Sequence, residues 1–178
     1  MKLILIRHTS VDVAKGVCYG ATDVALAPSF PREAEEVKKK LAGYHFDMVF
    51  TSPLSRCEKL ADFCGFPDAV RDDRLKEMNF GEWEMQPFDS IKDVRLQEWY
   101  DDYINVRPTG GESVVDQRKR LKDFVEYLKE RSGIDTVAIF THGGILMNAL
   151  VEYGGKNYRD VYSSIPPYGS IIKVSIPG

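Results

Sequence analysis

Short continuous apolar runs alternate along the chain with longer stretches in which apolar positions recur at helical spacing. Lys2 to Ile6, Asp47 to Phe50, Asp135 to Phe140 and Ser170 to Ile176 are the apolar runs. Runs of this length without polar alternation are what strands buried on both faces look like. Between them, Leu121, Phe124, Val125 and Leu128 fall at i, i+3, i+4 and i+7, which predicts a helix from Ser113 to Arg131 that Gly133 ends. Pro31 fits the first position of a helix to about Leu41, with Gly43 beyond it. Ser52 and Pro53 supply an N-cap and first-turn pair for a helix ending at Gly65. Gly143 to Tyr153 reads as a further helix, and a helical stretch is expected from about Asp89 to Tyr103. Residues 9–30, with Gly16, Gly20 and Pro28, and residues 72–86 carry no period and read as loops. Strands alternating with helices predict an α/β fold, a three-layer α/β/α sandwich whose mainly parallel sheet has helices on both faces.

Composition narrows the partners. The 178 residues, one domain's worth, carry 24 Lys and Arg against 27 Asp and Glu, a formal charge of −3. That balance argues against a general nucleic-acid binder and permits a local basic pocket, so a small molecule is the expected partner. No apolar run approaches the ~20 residues of a membrane span. The first apolar run leads straight into Arg7 and His8, which is not the core of a signal peptide. A cytoplasmic protein is expected. Cys57 and Cys64, if on one helix, lie ~10 Å apart along its axis, beyond disulfide reach. Neither Cys-x-x-Cys nor His-Glu-x-x-His occurs, so no metal and no cofactor is expected.

Three places share one pattern, an apolar strand followed at once by polar, reactive side chains. They are Arg7-His8, Thr51-Ser52 with Arg56 one turn into the next helix, and His142-Gly143-Gly144. In open α/β sheets ligands bind outside the carboxyl ends of the strands, so these residues are expected to converge. Two Arg and two His in one pocket make an anion site, and a helix starting at Gly143 adds free backbone N–H groups at its positive end. A phosphoryl group fits such a site, because guanidinium forks stabilise charge on its equatorial oxygens. A neutral imidazole can attack phosphorus and form a phosphohistidine. An acid such as Glu77 would protonate the departing alkoxide and then activate water.

The words Leu5-Ile-Arg-His8, Thr51-Ser-Pro-Leu-Ser-Arg56, Leu75-Lys-Glu77 with Gly81-Glu-Trp-Glu84, Gly110-Gly-Glu-Ser113 and Thr141-His-Gly-Gly144 occur in this order. With them the sequence resembles the histidine phosphatase superfamily, of phosphoglycerate mutase-like fold. The resemblance implies that His8 is the phosphorylated nucleophile, that Arg7, Arg56 and His142 hold the phosphate, with Gly143 at the helix start, and that Glu77 is the acid/base. Gly16-Val-Cys-Tyr-Gly20 followed by Asp23-Val-Ala-Leu26 resembles the loop of α-ribazole phosphatases, which act on a nucleotide intermediate of cobalamin assembly. That narrower likeness implies Tyr19 and Gly20 at the substrate. Thr9 stands where the family commonly has Gly, and Val11 and Asp12 replace other common residues. Asp12 is expected to point outward, since inward it would repel phosphate.

Other residues carry plainer expectations. Glu82 and Glu84 are rivals of Glu77, since a loop carboxylate is usually just solvated. His45 reads as structural, Cys18, Trp83, Trp99 and Tyr100 as packing residues, and Lys38 to Lys40 as a solvated helix face. Residues 88–108 are expected to form a cap-like insertion that sets specificity together with Tyr19. The leading functional expectation is a metal-independent phosphomonoesterase acting on α-ribazole 5′-phosphate. A broad-specificity phosphatase or a phosphoglycerate mutase is the near alternative. A metallohydrolase and a phosphate-ligand binding module without catalysis are alternatives of different class.

Overall fold

The structure is a computed structural model and describes residues 1–177. Among these residues the apolar runs become strands β1 (Lys2–Arg7), β2 (Met48–Thr51), β4 (Thr136–Thr141) and β5 (Ile171–Ser175). With β3 (Val70–Arg71) they form a five-stranded sheet in the order β3-β2-β4-β1-β5. All neighbours run parallel except β5, which pairs antiparallel with β1. The helices are α1 (Phe30–Leu41), α2 (Ser55–Phe63), α3 (Arg95–Asp101), α4 (Val114–Lys129), α5 (Gly143–Tyr153) and α6 (Tyr158–Ser163).

Successive residues of a strand face opposite sides, and both sides of this sheet are covered. Leu3 and Leu5 of β1 pack with Val137 and Ile139 under Leu121, Phe124 and Leu128 of α4 and Ile145 and Leu146 of α5. Ile4 and Ile6 pack with Ala138 and Phe140 under Ala34 and Val37 of α1 and Cys57 and Leu60 of α2. The result is the three-layer α/β/α sandwich that the sequence pattern predicts. Each fully buried aliphatic side chain contributes roughly 1.5–3 kcal/mol relative to exposure. Phe124 meets Phe50 edge to face at 5.1 Å between centroids, so Phe124→Ala would cost about 3–5 kcal/mol.

Several local features differ from the sequence reading. α2 starts at Ser55 rather than beside Ser52, because its first turn is capped from another segment: Asp23 Oδ1 accepts from Ser55 N at 2.9 Å and from Ser55 Oγ at 2.8 Å. The helix expected over 89–103 is a 3₁₀ turn, Phe88–Ser90, followed by the short α3. Asp93 makes that break, accepting from Arg95 N at the start of α3 and from the Trp83 indole N–H. α4 is capped by Ser113, the residue at which the helix was expected to start, in a capping box with Asp116, and it ends at Lys129 rather than Arg131. β3 and α6 are additions. The segment 88–108 joins a separate small core of Cys18, Trp83 and Ile91, flanked by Phe80, Phe88, Leu96 and Trp99.

Candidate active site

Parallel register brings the chemistry together. Arg7 of β1 lies opposite Thr141 of β4, and Phe140 of β4 lies opposite Thr51 of β2. The next residues, His8, His142 and Ser52, therefore leave the sheet side by side. His8 is 2% exposed and His142 wholly buried, and their rings meet edge to face with centroids 5.2 Å apart.

His8 Nδ1 is 2.7 Å from the Thr9 carbonyl oxygen. A carbonyl only accepts, so Nδ1 carries the hydrogen and Nε2 keeps a lone pair. Burial first and the Arg56 charge second hold the His8 pKa down at about 3, against the Thr9 carbonyl and with a smaller push from Arg7. At neutral pH His8 is thus an uncharged imidazole with Nε2 unprotonated and its lone pair free. His142 bonds through Nε2 to Ser52 Oγ at 2.7 Å. Burial, then the Arg56 charge, holds its pKa well below the ordinary histidine value.

Both guanidiniums are anchored and incompletely satisfied. Arg56 donates to the Thr22 carbonyl at 2.9 Å and to the Gly20 carbonyl at 2.5 Å. Arg7 donates to the Pro166 carbonyl and lies 4.2 Å from the Tyr168 ring centre. Nε of each is buried without a protein acceptor. Buried charged donors without acceptors are expensive, and an anion beside the two imidazoles would satisfy them.

The three carboxylates are told apart by their partners. Glu77 accepts from Met78 N at 2.8 Å and Gln117 Nε2 at 2.9 Å on Oε1, and from Gly144 N at 3.1 Å on Oε2. Glu84 is occupied elsewhere: it accepts from the backbone N–H groups of Gly20, Ala21, Thr22 and Phe80 and from the Thr22 hydroxyl. It thereby shapes the loop whose carbonyls hold Arg56. Glu82 is exposed and faces a different cavity, formed with Lys92 and Asp93.

A cavity of about 230 Å³ opens here, lined by Arg7, His8, Tyr19, Glu77 and Gly144 and walled by Met78, Phe80, Trp99, Gln117, Met147 and Tyr162. Of the expected site residues, Arg7, His8, Glu77 and Tyr19 face it. Arg56 and His142 do not line it but act on His8, Arg56 through its charge and His142 through its edge-to-face ring; Gly143 carries no side chain where Arg7 packs, and Gly20 sits against the Met78 carbonyl, where a Cβ would collide. The reach of segment 88–108 into the cavity is through Trp99, while Tyr100 is 51% exposed. Asp12 is exposed. Among the described residues no three His, Cys, Asp or Glu side chains group as metal ligands do.

Sequence reasoning missed Tyr168, whose hydroxyl meets that of Tyr19 at 2.7 Å and whose ring lies 5.5 Å from that of His8. It also missed Gln117, although a polar residue within the buried stripe of α4 was a readable signal. Tyr162 lies on α6, too short to announce itself.

Comparison with known proteins places the chain in a family. The chain is 32% identical over 154 residues to a candidate phosphoserine phosphatase 2 of Hydrogenobacter thermophilus, covering 82% of this chain and 74% of that one. It is 30% identical over 178 residues to a 2,3-bisphosphoglycerate-dependent phosphoglycerate mutase of Mesorhizobium japonicum, covering 89% and 84%. A solved candidate α-ribazole-5′-P phosphatase of Escherichia coli K-12 superposes with a TM-score of 0.86 over 97% of this chain and 89% of that one, at 23% identity, a likeness of fold alone. The family described as histidine phosphatase superfamily (branch 1) matches residues 3–178, and the chain belongs to it.

Proposed function

We propose that the protein is a metal-independent phosphomonoesterase working through a phosphohistidine on His8. The observation that carries this reading is the tautomer of His8: the Thr9 carbonyl takes Nδ1–H, and burial among cations keeps Nε2 unprotonated. In the first step Nε2 attacks phosphorus, the N–P bond forms, and the P–O bond to the leaving alcohol breaks as Glu77 gives its proton to the departing oxygen. Arg7, Arg56 and the N–H groups at Gly143 balance charge on the equatorial oxygens, and the neutral His142 contributes a hydrogen bond without adding charge. In the second step Glu77 takes a proton from water, the water oxygen attacks phosphorus, and the N–P bond breaks to release phosphate and restore His8.

The substrate we propose is α-ribazole 5′-phosphate. Its support is the likeness of residues 16–26 to the α-ribazole phosphatase loop together with the aromatic wall of Tyr19, Phe80, Trp99 and Tyr162 beside His8. Such a wall suits a planar base, and contacts to it that strengthen in the transition state raise kcat/KM. Rapid acid-free quenching with labelled phosphoester should trap label that is stable to alkali and lost in acid, and His8→Ala should abolish it; label on Ser52 would overturn the mechanism. The kcat/KM for α-ribazole 5′-phosphate should exceed those for ribose 5-phosphate, phosphoserine and 3-phosphoglycerate by at least ~100-fold, roughly 2.7 kcal/mol. A flat profile would leave the mechanism and remove the substrate, and transfer of the phosphoryl group between phosphoglycerates would make the protein a mutase.

A further inference from the structure

A line of side-chain amides runs from the outer helix α6 to Glu77. The Tyr158 hydroxyl donates to Asn148 Oδ1 at 2.8 Å, Asn148 Nδ2 donates to Gln117 Oε1 at 3.1 Å, and Gln117 Nε2 donates to Glu77 Oε1 at 2.9 Å. Asn148 is wholly buried and Gln117, at the cavity wall, is 1% exposed, so both amides take their partners chiefly from the protein. We propose that Gln117 and Asn148 are positioning residues that fix which oxygen of Glu77 carries the catalytic proton, an inference that rests on Glu77 being the acid of the reaction proposed above.

An ionised carboxylate only accepts, so Gln117 must present its NH₂ to Glu77 and its oxygen to Asn148. Asn148 must then present its NH₂ to Gln117 and its oxygen to Tyr158, which donates. Each amide holds the next in one of its two flipped states, and the Lys76 carbonyl, 3.4 Å from Gln117 Nε2, favours the same orientation of Gln117. Oε1 of Glu77 receives two N–H groups, from Gln117 and Met78, whereas Oε2 receives one, from Gly144. Neither donor at Oε1 can accept a proton from it. Oε2 is therefore the oxygen with a lone pair left, and the proton that reaches the leaving group resides there. A Gln117 amide turned the other way would face Oε1 with its own oxygen, draw the proton to Oε1, and hold it away from the substrate.

The test is the dependence of kcat/KM on the leaving group, because kcat/KM reports the steps through His8 phosphorylation and a misplaced acid harms only leaving groups that need a proton. Glu77→Gln is the reference and should lose activity on alkyl phosphates far more than on p-nitrophenyl phosphate. Gln117→Met should lose about tenfold on alkyl phosphates and less than about twofold on p-nitrophenyl phosphate. Added to Glu77→Gln, it should cause no further loss. Asn148→Asp keeps Gln117 but offers an acceptor where the amide had a donor, so a second carboxylate competes with Glu77 for the Gln117 NH₂; it should show the same selective loss and serves if Gln117→Met does not fold. Equal losses across leaving groups in these variants, or losses that add to that of Glu77→Gln, would overturn the relay while leaving the acid in place. An unselective loss in Glu77→Gln itself would overturn the acid and the relay together.

Discussion

Gly144 and the Glu77 carboxylate share a space with no room for a side chain: the backbone N–H donates to Oε2 at 3.1 Å, and a Cβ on residue 144 would run into Oε1 and the Gln117 amide. The glycine after His142-Gly143 is thus needed for the Glu77 carboxylate as well as for the helix start. The atoms in the way are the ends of flexible side chains, so the fold can absorb the methyl group and the site cannot. Gly144→Ala should destabilise by about 1–3 kcal/mol, as overpacking does, and lower kcat/KM on alkyl phosphates by about 10–100-fold as the acid is displaced. Melting curves and steady-state kinetics on the one variant check both, and an unimpaired enzyme would contradict this placement of Glu77.

Stability should respond to pH through the two buried imidazoles. Both have folded-state pKa values below the ordinary 6.5, His8 at about 3. The unfolded chain therefore takes up protons first as pH falls, so their contribution is complete above pH ~6.5 and is lost below it. Each imidazole should remove about 1.4 kcal/mol per pH unit once well below that value. Denaturant titrations at pH 7, 6 and 5 should show the decline, and His8→Asn should make it shallower. A stability that rises from pH 7 to 5 would contradict the buried neutral histidines.

Glu84 should behave as part of the scaffold under Arg56. Its carboxylate gathers five donors around residues 20–22 and 80, and glutamine puts an NH₂ where one oxygen accepted. Glu84→Gln should destabilise by about 1–3 kcal/mol and weaken competitive inhibition by inorganic phosphate severalfold, as the Gly20 and Thr22 carbonyls lose their hold on Arg56. A selective loss on alkyl phosphates instead would make Glu84 the acid.

Excess chelator should leave activity intact, since the imidazoles are flanked by guanidiniums that disfavour a dication. A complete loss that zinc restores would move the reaction to metal-assisted hydrolysis.

Much of the layout was legible because burial on both faces writes itself into composition: Leu3 to Ile6 and Val137 to Phe140 have no polar position to spare. The helix α4 was legible from its period and its Ser113 cap. What escaped depended on distant partners or carried no burial. Val70 and Arg71 are exposed and make a strand only through β2. The start of α2 is set by Asp23, 32 residues away. The convergence of His8, His142, Arg7 and Arg56 could be read from their places at or just beyond strand ends, whereas telling Glu77, Glu82 and Glu84 apart required knowing which backbone N–H groups each one meets. Tyr168 reaches His8 through the turn before β5, which leaves no local signal.

The arrangement of β1 between β4 and β5 has a consequence for folding time. The strand that leads into His8 has no sheet neighbour from the first half of the chain, and Arg7 is anchored by a carbonyl 159 residues away. Contacts so remote in sequence are the slow ones to form. An N-terminal folding intermediate would expose β1 as an unpaired edge with a wholly apolar centre, Leu3 to Ile6, and His8 would have no oriented surroundings. Recovery of enzymatic turnover should then coincide with the last kinetic phase of refolding, after helical signal has returned.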